Sequence, residues 1–247
     1  MIDNTKLFTD KSADYSQYRP SYPESAVKWL RSKIAGNTVL DVGAGTGIFT
    51  QVLLPCFANV SAVEPNDDMR QMFEKMLPGI RCRNATGEHT QMPEFSVDLI
   101  TVAQAFHWLD ADSFKLEAMR ILRPTGKVAI IWNSSLKSAF TDARNFICQK
   151  YCPRFRSGHA GRHTAEEGDL FLRQRFFREV EVVSFPNPFS MDLQTFEGNI
   201  RSRSYALTPD DRQYDLFCRE LRSVFEHYAE NGIVTELQET QIYLGSF

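Results

Sequence analysis

The sequence predicts an α/β protein built on a mostly parallel sheet. Two observations carry that prediction. Short apolar, β-branched runs recur between residues 38 and 132 and alternate with stretches of helical period, the pattern of strands buried on both faces by crossover helices. The first run, Val39-Leu-Asp-Val42, leads directly into Gly43-Ala-Gly45-Thr-Gly47, a tight turn between a strand end and a helix start.

The elements follow in order. Residues 1–20 are polar with aromatic punctuation at Phe8, Tyr15 and Tyr18. After Pro20 and Pro23 a helix runs to Ile34, with Ala26, Trp29, Leu30 and Ile34 on one face, and Gly36-Asn37 stops it. Strand one is Thr38 to Val42. A helix from Gly47 or Ile48 ends near Pro55. Strand two is Val60–Val63, and Asn66 caps a helix that Pro78-Gly79 terminates. Ile80–Arg83 is a third strand and Val97–Ala103 a fourth. A helix over Asp112–Leu122 and a turn at Pro124-Thr-Gly126 precede strand five, Gly126–Trp132.

After Trp132 the rhythm breaks into helices and loops up to Phe177. Val180–Phe185 reads as a strand, Leu193–Tyr205 and Pro209–Asn231 as helices, and Ile233–Leu244 as extended chain. The expectation is a Rossmann-like three-layer sandwich: a mostly parallel seven-stranded sheet with an antiparallel C-terminal strand and a helical cap inserted after strand five. Within this single domain, residues 1–35 form an N-terminal lid and helix, 36–133 a cofactor-binding core, 134–232 a cap and substrate region including a late sheet strand, and 233–247 the C-terminal strand.

Bulk properties exclude several classes. At 247 residues, 43% hydrophobic and a net charge of −3, the chain suits one globular domain and offers no broad basic face for nucleic acid or anionic lipid. It shows no secretory leader and no apolar run long enough to span a bilayer, so the expected location is cytoplasmic. Partners are expected to be small molecules, with no nucleic acid or membrane, and the chain to be a monomer or homodimer. Five cysteines at irregular spacing do not form a disulfide framework. Cys148, Cys152, His159 and His163 are soft ligands within sixteen residues, but the gap between the two pairs is far shorter than in finger-type zinc sites, and no metal is expected.

Chemistry concentrates where the parallel strands end, the edge at which open α/β sheets bind ligands. In a dinucleotide loop of the form G-x-G-x-x-G the third glycine would fall at Ile48. Here it falls at Gly47, so the turn differs. Glu64 ends strand two and can accept both hydroxyls of a ribose. Gly87-Glu88 sits in a turn whose amides can read an adenine edge. Ala103-Gln-Ala-Phe-His-Trp108 places polar and aromatic side chains over the same edge.

Four stretches together resemble class I S-adenosylmethionine-dependent methyltransferases, and more narrowly the small-molecule group that includes trans-aconitate methyltransferases. They are Phe8…Tyr15-x-x-Tyr-Arg-Pro-x-Tyr-Pro23, Leu40–Gly47, Ala103–Trp108 and Glu117-x-x-Arg-Ile-Leu-Arg-Pro124-x-Gly126. The match covers residues 8–133 and weakens beyond, apart from Arg201-Ser-Arg-Ser-Tyr205 and Ile242–Gly245.

The resemblance implies methyl transfer from S-adenosylmethionine, releasing S-adenosylhomocysteine, to a small acceptor: a carboxylate, or else a hydroxyl, amine or thiol. It implies that Asp41 orients the glycine loop and meets the cofactor's amino group through water. Gly43, Ala44 and Gly45 would lie under the methionine portion and Glu64 would hold the ribose. Pro65 and Met69 would flank the adenine, with Gly87 and Glu88 at its amino edge. Ala103, Gln104 and Ala105 would face the sulfonium. Tyr15, Tyr18 and Arg19 would close over the cofactor, Arg19 forking the carboxylate.

For acceptor chemistry, His107 reads either as a general base or as a packing corner. Trp108, Trp132 and Tyr205 read as an aromatic wall. Arg201 and Arg203 read as clamps for an acidic acceptor or as helix-surface charges. Two other functions remain open from sequence: a cofactor-binding regulatory module without turnover, and an RNA methyltransferase. Residues 1–20 are expected to act as a lid that closes on the cofactor.

Overall fold

The computed structural model describes residues 11–155 and 165–247; Phe8, His159 and His163 lie outside the described residues. Its elements are α1 (Ser12–Tyr18), α2 (Glu24–Lys33), β1 (Thr38–Val42), α3 (Ile48–Leu53), β2 (Asn59–Val63), α4 (Asp67–Met76), β3 (Cys82–Arg83) and β4 (Val97–Ala103). Then come α5 (Ala111–Ile121), β5 (Leu122–Ser135), α6 (Ala139–Tyr151), α7 (Ala165–Phe171), β6 (Glu179–Pro186), β7 (Phe189–Met191), α8 (Leu193–Arg201), α9 (Tyr214–Tyr228), β8 (Val234–Glu236) and β9 (Gln238–Ser246). The seven-stranded sheet runs in the order β3-β2-β1-β4-β5-β9-β6. β9 is antiparallel to both neighbours and the other pairings are parallel.

Alternation along the strands sends successive side chains to opposite faces. Leu40, Val42, Ile100, Val102, Val128 and Ile130 pack with α5 on one face. Val39, Leu99, Ala129 and Ile131 pack with Ala26 and Leu30 of α2 and Phe49 and Leu53 of α3 on the other. A separate apolar cluster joins α6, α8 and α9 through Phe140, Ile147, Phe196, Ile200, Phe217 and Phe225. It forms a helical layer beside the strand ends, tied to β8 by the buried ion pair Arg144–Glu236.

The caps follow the sequence. Asn66 Oδ1 accepts from Met69 N at 2.9 Å and begins α4, and Asp110 Oδ1 accepts from Ser113 N at 3.0 Å and begins α5.

Two expectations change. The turn expected at Pro124-Thr-Gly126 is instead absorbed into the long strand β5. Val97 pairs with Leu122 but Leu99 with Lys127, so the extra residues bulge out of register without ending the strand. The extended tail is two strands, because β8 leaves the main sheet to pair with β7. The turn expected around Gly87-Glu88 is present and makes the crossover from β3 to β4.

Among the described residues, no helix is long and apolar enough to cross a membrane. Cys148 and Cys152 are buried free thiols on one face of α6.

Candidate functional site

The turn after β1 is left-handed at Gly43, Gly45 and Gly47, with φ of 65°, 57° and 91°. At Gly43 a side chain is excluded twice, by that φ and by space: a Cβ would lie 2.6 Å from the Ala105 Cβ. Gly43 N donates to Val63 O at 2.9 Å, which holds the turn against the end of β2.

Glu64 sits at that end and is buried. Its Oε2 accepts from Gly45 N and its Oε1 from Asn66 N, both at 2.8 Å. One carboxylate thus fixes the glycine turn and the entry to α4, and it keeps further lone pairs for a ligand. Burial raises the Glu64 pKa, and the two backbone donors oppose that rise.

Asp41 lies beneath the turn. Its Oδ2 accepts from Thr50 Oγ1 at 2.6 Å and its Oδ1 from Thr101 Oγ1 at 2.8 Å, which ties β1 to α3 and β4. Burial pushes the Asp41 carboxyl up to about 6, against those hydroxyls.

A cavity of about 250 Å³ opens over these groups. It is lined by Tyr15, Gly43, Gly45, Glu64, Pro65, Asn66, Met69, Thr86, Gly87, Glu88, Ala103, Gln104, Ala105, Trp108 and Leu109. Gln104 holds φ of 57°, a strained value for a residue with a side chain, at the point where β4 breaks off into the site. The 85–93 turn is held from α5, where Glu117 accepts from Thr90 and Arg120 donates to Met92 O at 2.8 Å. Those two residues belong to the Glu117-x-x-Arg stretch, whose packing purpose is thereby explained. Glu88 lines the cavity, but its Oε1 also accepts from Asp110 N at 2.8 Å.

A smaller cavity of about 40 Å³ shares Tyr15, Gly43, Ala103 and Gln104 with the first and adds Arg19, Tyr22, Asp41, Ala44 and Asn133. Arg19 is the notable group there. Its guanidinium lies 4.8 Å from the Tyr15 ring centre, and Nη2 donates to Ser202 O at 3.2 Å. Its Nε is buried without a hydrogen-bond partner. Burial, then the neighbouring Arg203, lower its pKa to about 10. Arg203 likewise has a buried Nε without a partner. Among the described residues neither arginine is ion-paired, whereas Arg120, Arg123, Arg144, Arg201 and Arg222 each have an acid.

Several expected site residues lie elsewhere. Tyr18 lines neither cavity: it is buried on the cap with its hydroxyl accepting from Gln194 Nε2 at 3.1 Å. Its aromatic face packs better against a helix than toward a polar ligand. Arg201 is paired with Asp14, Nε to Oδ2 2.9 Å, so its charge is already answered. His107 stacks between Trp108 and Trp132, ring centroids 4.4 and 5.2 Å away, and lines neither cavity. Trp132 is core. Trp108 reaches the larger cavity, which it shares with Ala103, Gln104 and Ala105. Tyr205 packs edge-on against Phe155 at 4.9 Å, and burial pushes its hydroxyl up to about 12. Sequence reading missed Asn66, Thr86, Leu109, Tyr22 and Asn133. Asn133 was open to discovery, since it directly follows the strand expected at Gly126–Trp132, at the same sheet edge.

The geometry is a cleft between the glycine turn, Glu64 and the 85–93 turn, with the Arg19 guanidinium on the adjoining cavity. Residues 40–130 match the methyltransferase domain family. This core, which carries the glycine turn and Glu64, is thus similar to methyltransferase domains.

The chain is 39% identical over 132 residues to an uncharacterized methyltransferase of Mycobacterium tuberculosis, covering 53% of this chain and 54% of that one. It is 33% identical over 132 residues to an uncharacterized methyltransferase of Schizosaccharomyces pombe, covering 52% and 53%. The chain therefore spans about half the length of the curated relatives it matches. Over nearly the whole chain, the fold is similar to a candidate type II methyltransferase from Anaeromyxobacter dehalogenans, at a TM-score of 0.69 and 23% identity, covering 93% and 98%.

The class I methyltransferases that the sequence resembles use S-adenosylmethionine. The site fits it in three respects: a Cβ-free turn at Gly43 and Gly45, a free-lone-pair carboxylate at Glu64, and an unpaired buried guanidinium at Arg19.

Proposed function

We propose that this protein transfers a methyl group from S-adenosylmethionine to a small acceptor that carries a carboxylate. The observation that carries the reading is a pair of guanidiniums without an acid partner, Arg19 on the smaller cavity and Arg203 close to it, each with a buried, unpartnered Nε. A buried cation without a counter-charge is costly, and an anionic ligand offsets that cost.

Arg19 borders the glycine turn and would fork the methionine carboxylate, with Tyr15 stacked on its face. Glu64 would take the ribose hydroxyls, and Pro65, Met69, Thr86, Gly87, Trp108 and Leu109 would enclose the adenine. Asp41, beneath the methionine portion, would complement the cofactor's positive charge. Arg203, further into the cap, is left for the acceptor. The resemblance to trans-aconitate methyltransferases leads to the same acidic acceptor.

When bound, S-adenosylmethionine supplies an already electrophilic methyl. The chain's task is to place the acceptor in line with the methyl–sulfur bond and exclude water, and positioning alone supplies about 7–11 kcal/mol. A carboxylate acceptor needs no general base, which is consistent with His107 being held in an aromatic stack. His107 acts in this reading as a support for the Ala103–Trp108 corner.

The test is a panel of small mono-, di- and tricarboxylic acids, with S-adenosylhomocysteine release as the readout. Turnover is expected with one or more acids. Release only with amines, phenols or RNA overturns the acceptor assignment. Failure to bind S-adenosylmethionine overturns the cofactor assignment.

A further inference from the structure

Asn199 stands on the buried face of α8, about 180 residues in sequence from Arg19, and is almost fully enclosed. Its amide is used at both ends. Nδ2 donates to the backbone oxygen of Tyr18 at 2.9 Å, and Oδ1 accepts from Arg203 Nη2 at 3.0 Å. Tyr18 is the residue immediately before Arg19. Its ring fills a slot left by Gly198, where a Cβ would fall 2.1 Å from the ring. Arg19 is finally held by the Ser202 carbonyl, one turn further along the same helix.

A buried amide with donor and acceptor both satisfied is a rigid fixture, because removing either partner strands a polar group. Here the two partners are the backbone that aims one unpaired guanidinium and the side chain of the other. We infer that Asn199 is a positioning residue that sets the direction of both Arg19 and Arg203, so that one cap helix fixes both acid-free guanidiniums, Arg19 at the cavity and Arg203 behind it. Gly198 serves the same end by admitting the Tyr18 ring. The inference rests on the reading that Arg19 takes the cofactor carboxylate.

It predicts that disturbing Asn199, which touches neither cavity, weakens recognition of the carboxylate and spares recognition of the adenosine. The experiment is calorimetric titration of the full chain with S-adenosylmethionine and with its decarboxylated analogue. The wild type should prefer the carboxylate-bearing ligand by about tenfold or more. Arg19→Met should bring the ratio near unity. Asn199→Ala and Gly198→Ala should each cut the ratio at least about threefold, with affinity for the decarboxylated analogue kept. Arg19→Met combined with Asn199→Ala should match Arg19→Met alone, as expected for residues acting through one group.

Thermal melting checks that the variants are folded. Gly198→Ala removes no hydrogen-bonding group but displaces the Tyr18 ring, and it carries the test if Asn199→Ala does not fold. A wild-type ratio in folded Asn199→Ala or Gly198→Ala, or an equal loss for both ligands, overturns the inference while Arg19→Met still abolishes the preference. A wild-type ratio in Arg19→Met overturns the underlying reading instead.

Discussion

The sheet edge and the cap treat charge in opposite ways. At the sheet edge the two buried carboxylates, Glu64 and Asp41, are each held by near neighbours: backbone amides for one and hydroxyls for the other. At the ends of α1 and α8, Arg19 and Arg203 lie close enough to repel, and among the described residues neither has an acid partner. The edge is complete as it stands, whereas the cap side is built with an electrostatic deficit. The comparison teaches that the nucleoside half of the site is pre-formed by backbone geometry, and that the half facing anions depends on what binds there.

The largest expected effect breaks the complete half. Glu64→Ala removes the acceptor for Gly45 N and Asn66 N together with the ribose contact. Affinity for S-adenosylmethionine should fall by about a hundredfold or more by calorimetry. A loss under about threefold would show that the edge does not depend on that carboxylate.

Asp41 sharpens the same half through pH. Its carboxyl titrates near 6 in the folded chain, against 3.8 when free. Folding therefore favours the protonated form. The group's contribution to stability is fully present below about pH 4, is lost as pH rises through about 6, and leaves a cost at neutral pH. For a shift of this size the cost is about 2–3 kcal/mol. Asp41→Asn should remove that pH dependence, so its melting temperature relative to wild type should rise between pH 4 and pH 7. Parallel curves would show that Asp41 is not a burdened charge.

Arg203→Met tests the other half. It should raise the acceptor KM by about tenfold and leave the cofactor Kd within about twofold, because one charge-assisted contact is lost on the acceptor side. A change in cofactor Kd alone would move Arg203 to the cofactor. The smallest effect belongs to Arg201→Ala. Its pairing with Asp14 is half-exposed, so stability should fall by no more than about 1 kcal/mol and acceptor KM should hardly change. A tenfold KM change there would reverse the roles of the two arginines.

The same contrast explains what the sequence disclosed. The glycine turn, Glu64 and the corner at Ala103–Trp108 follow strand ends, where local spacing determines placement, and all of them border the larger cavity. The strand order follows as well, since alternating buried strands admit few topologies. The cap was opaque because its decisive pairings span nearly the whole chain. Tyr18 with Gly198, Arg19 with Ser202 and Arg201 with Asp14 join residues about 180 positions apart. No periodicity tells Arg201 from Arg203, yet a two-residue step along the chain separates a satisfied cation from an unsatisfied one. The resemblance placed Tyr18 over the cofactor, and His107 read as either a general base or a packing corner. Their polar tips proved secondary to the packing of their rings.

The position of β9 has a consequence for biosynthesis. It lies between β5 and β6, which are translated well before it. Until β9 emerges, β5 has an open edge and β6 has no neighbour in the sheet. The half of the sheet carrying β3, β2, β1 and β4 can assemble on the ribosome, whereas the other half must wait for residues 238–246. During that interval two unsatisfied apolar strand edges are exposed to solvent and to other nascent chains. Ribosome-stalled chains that stop before residue 238 should therefore carry a protected cofactor-side core and a chaperone-accessible far edge.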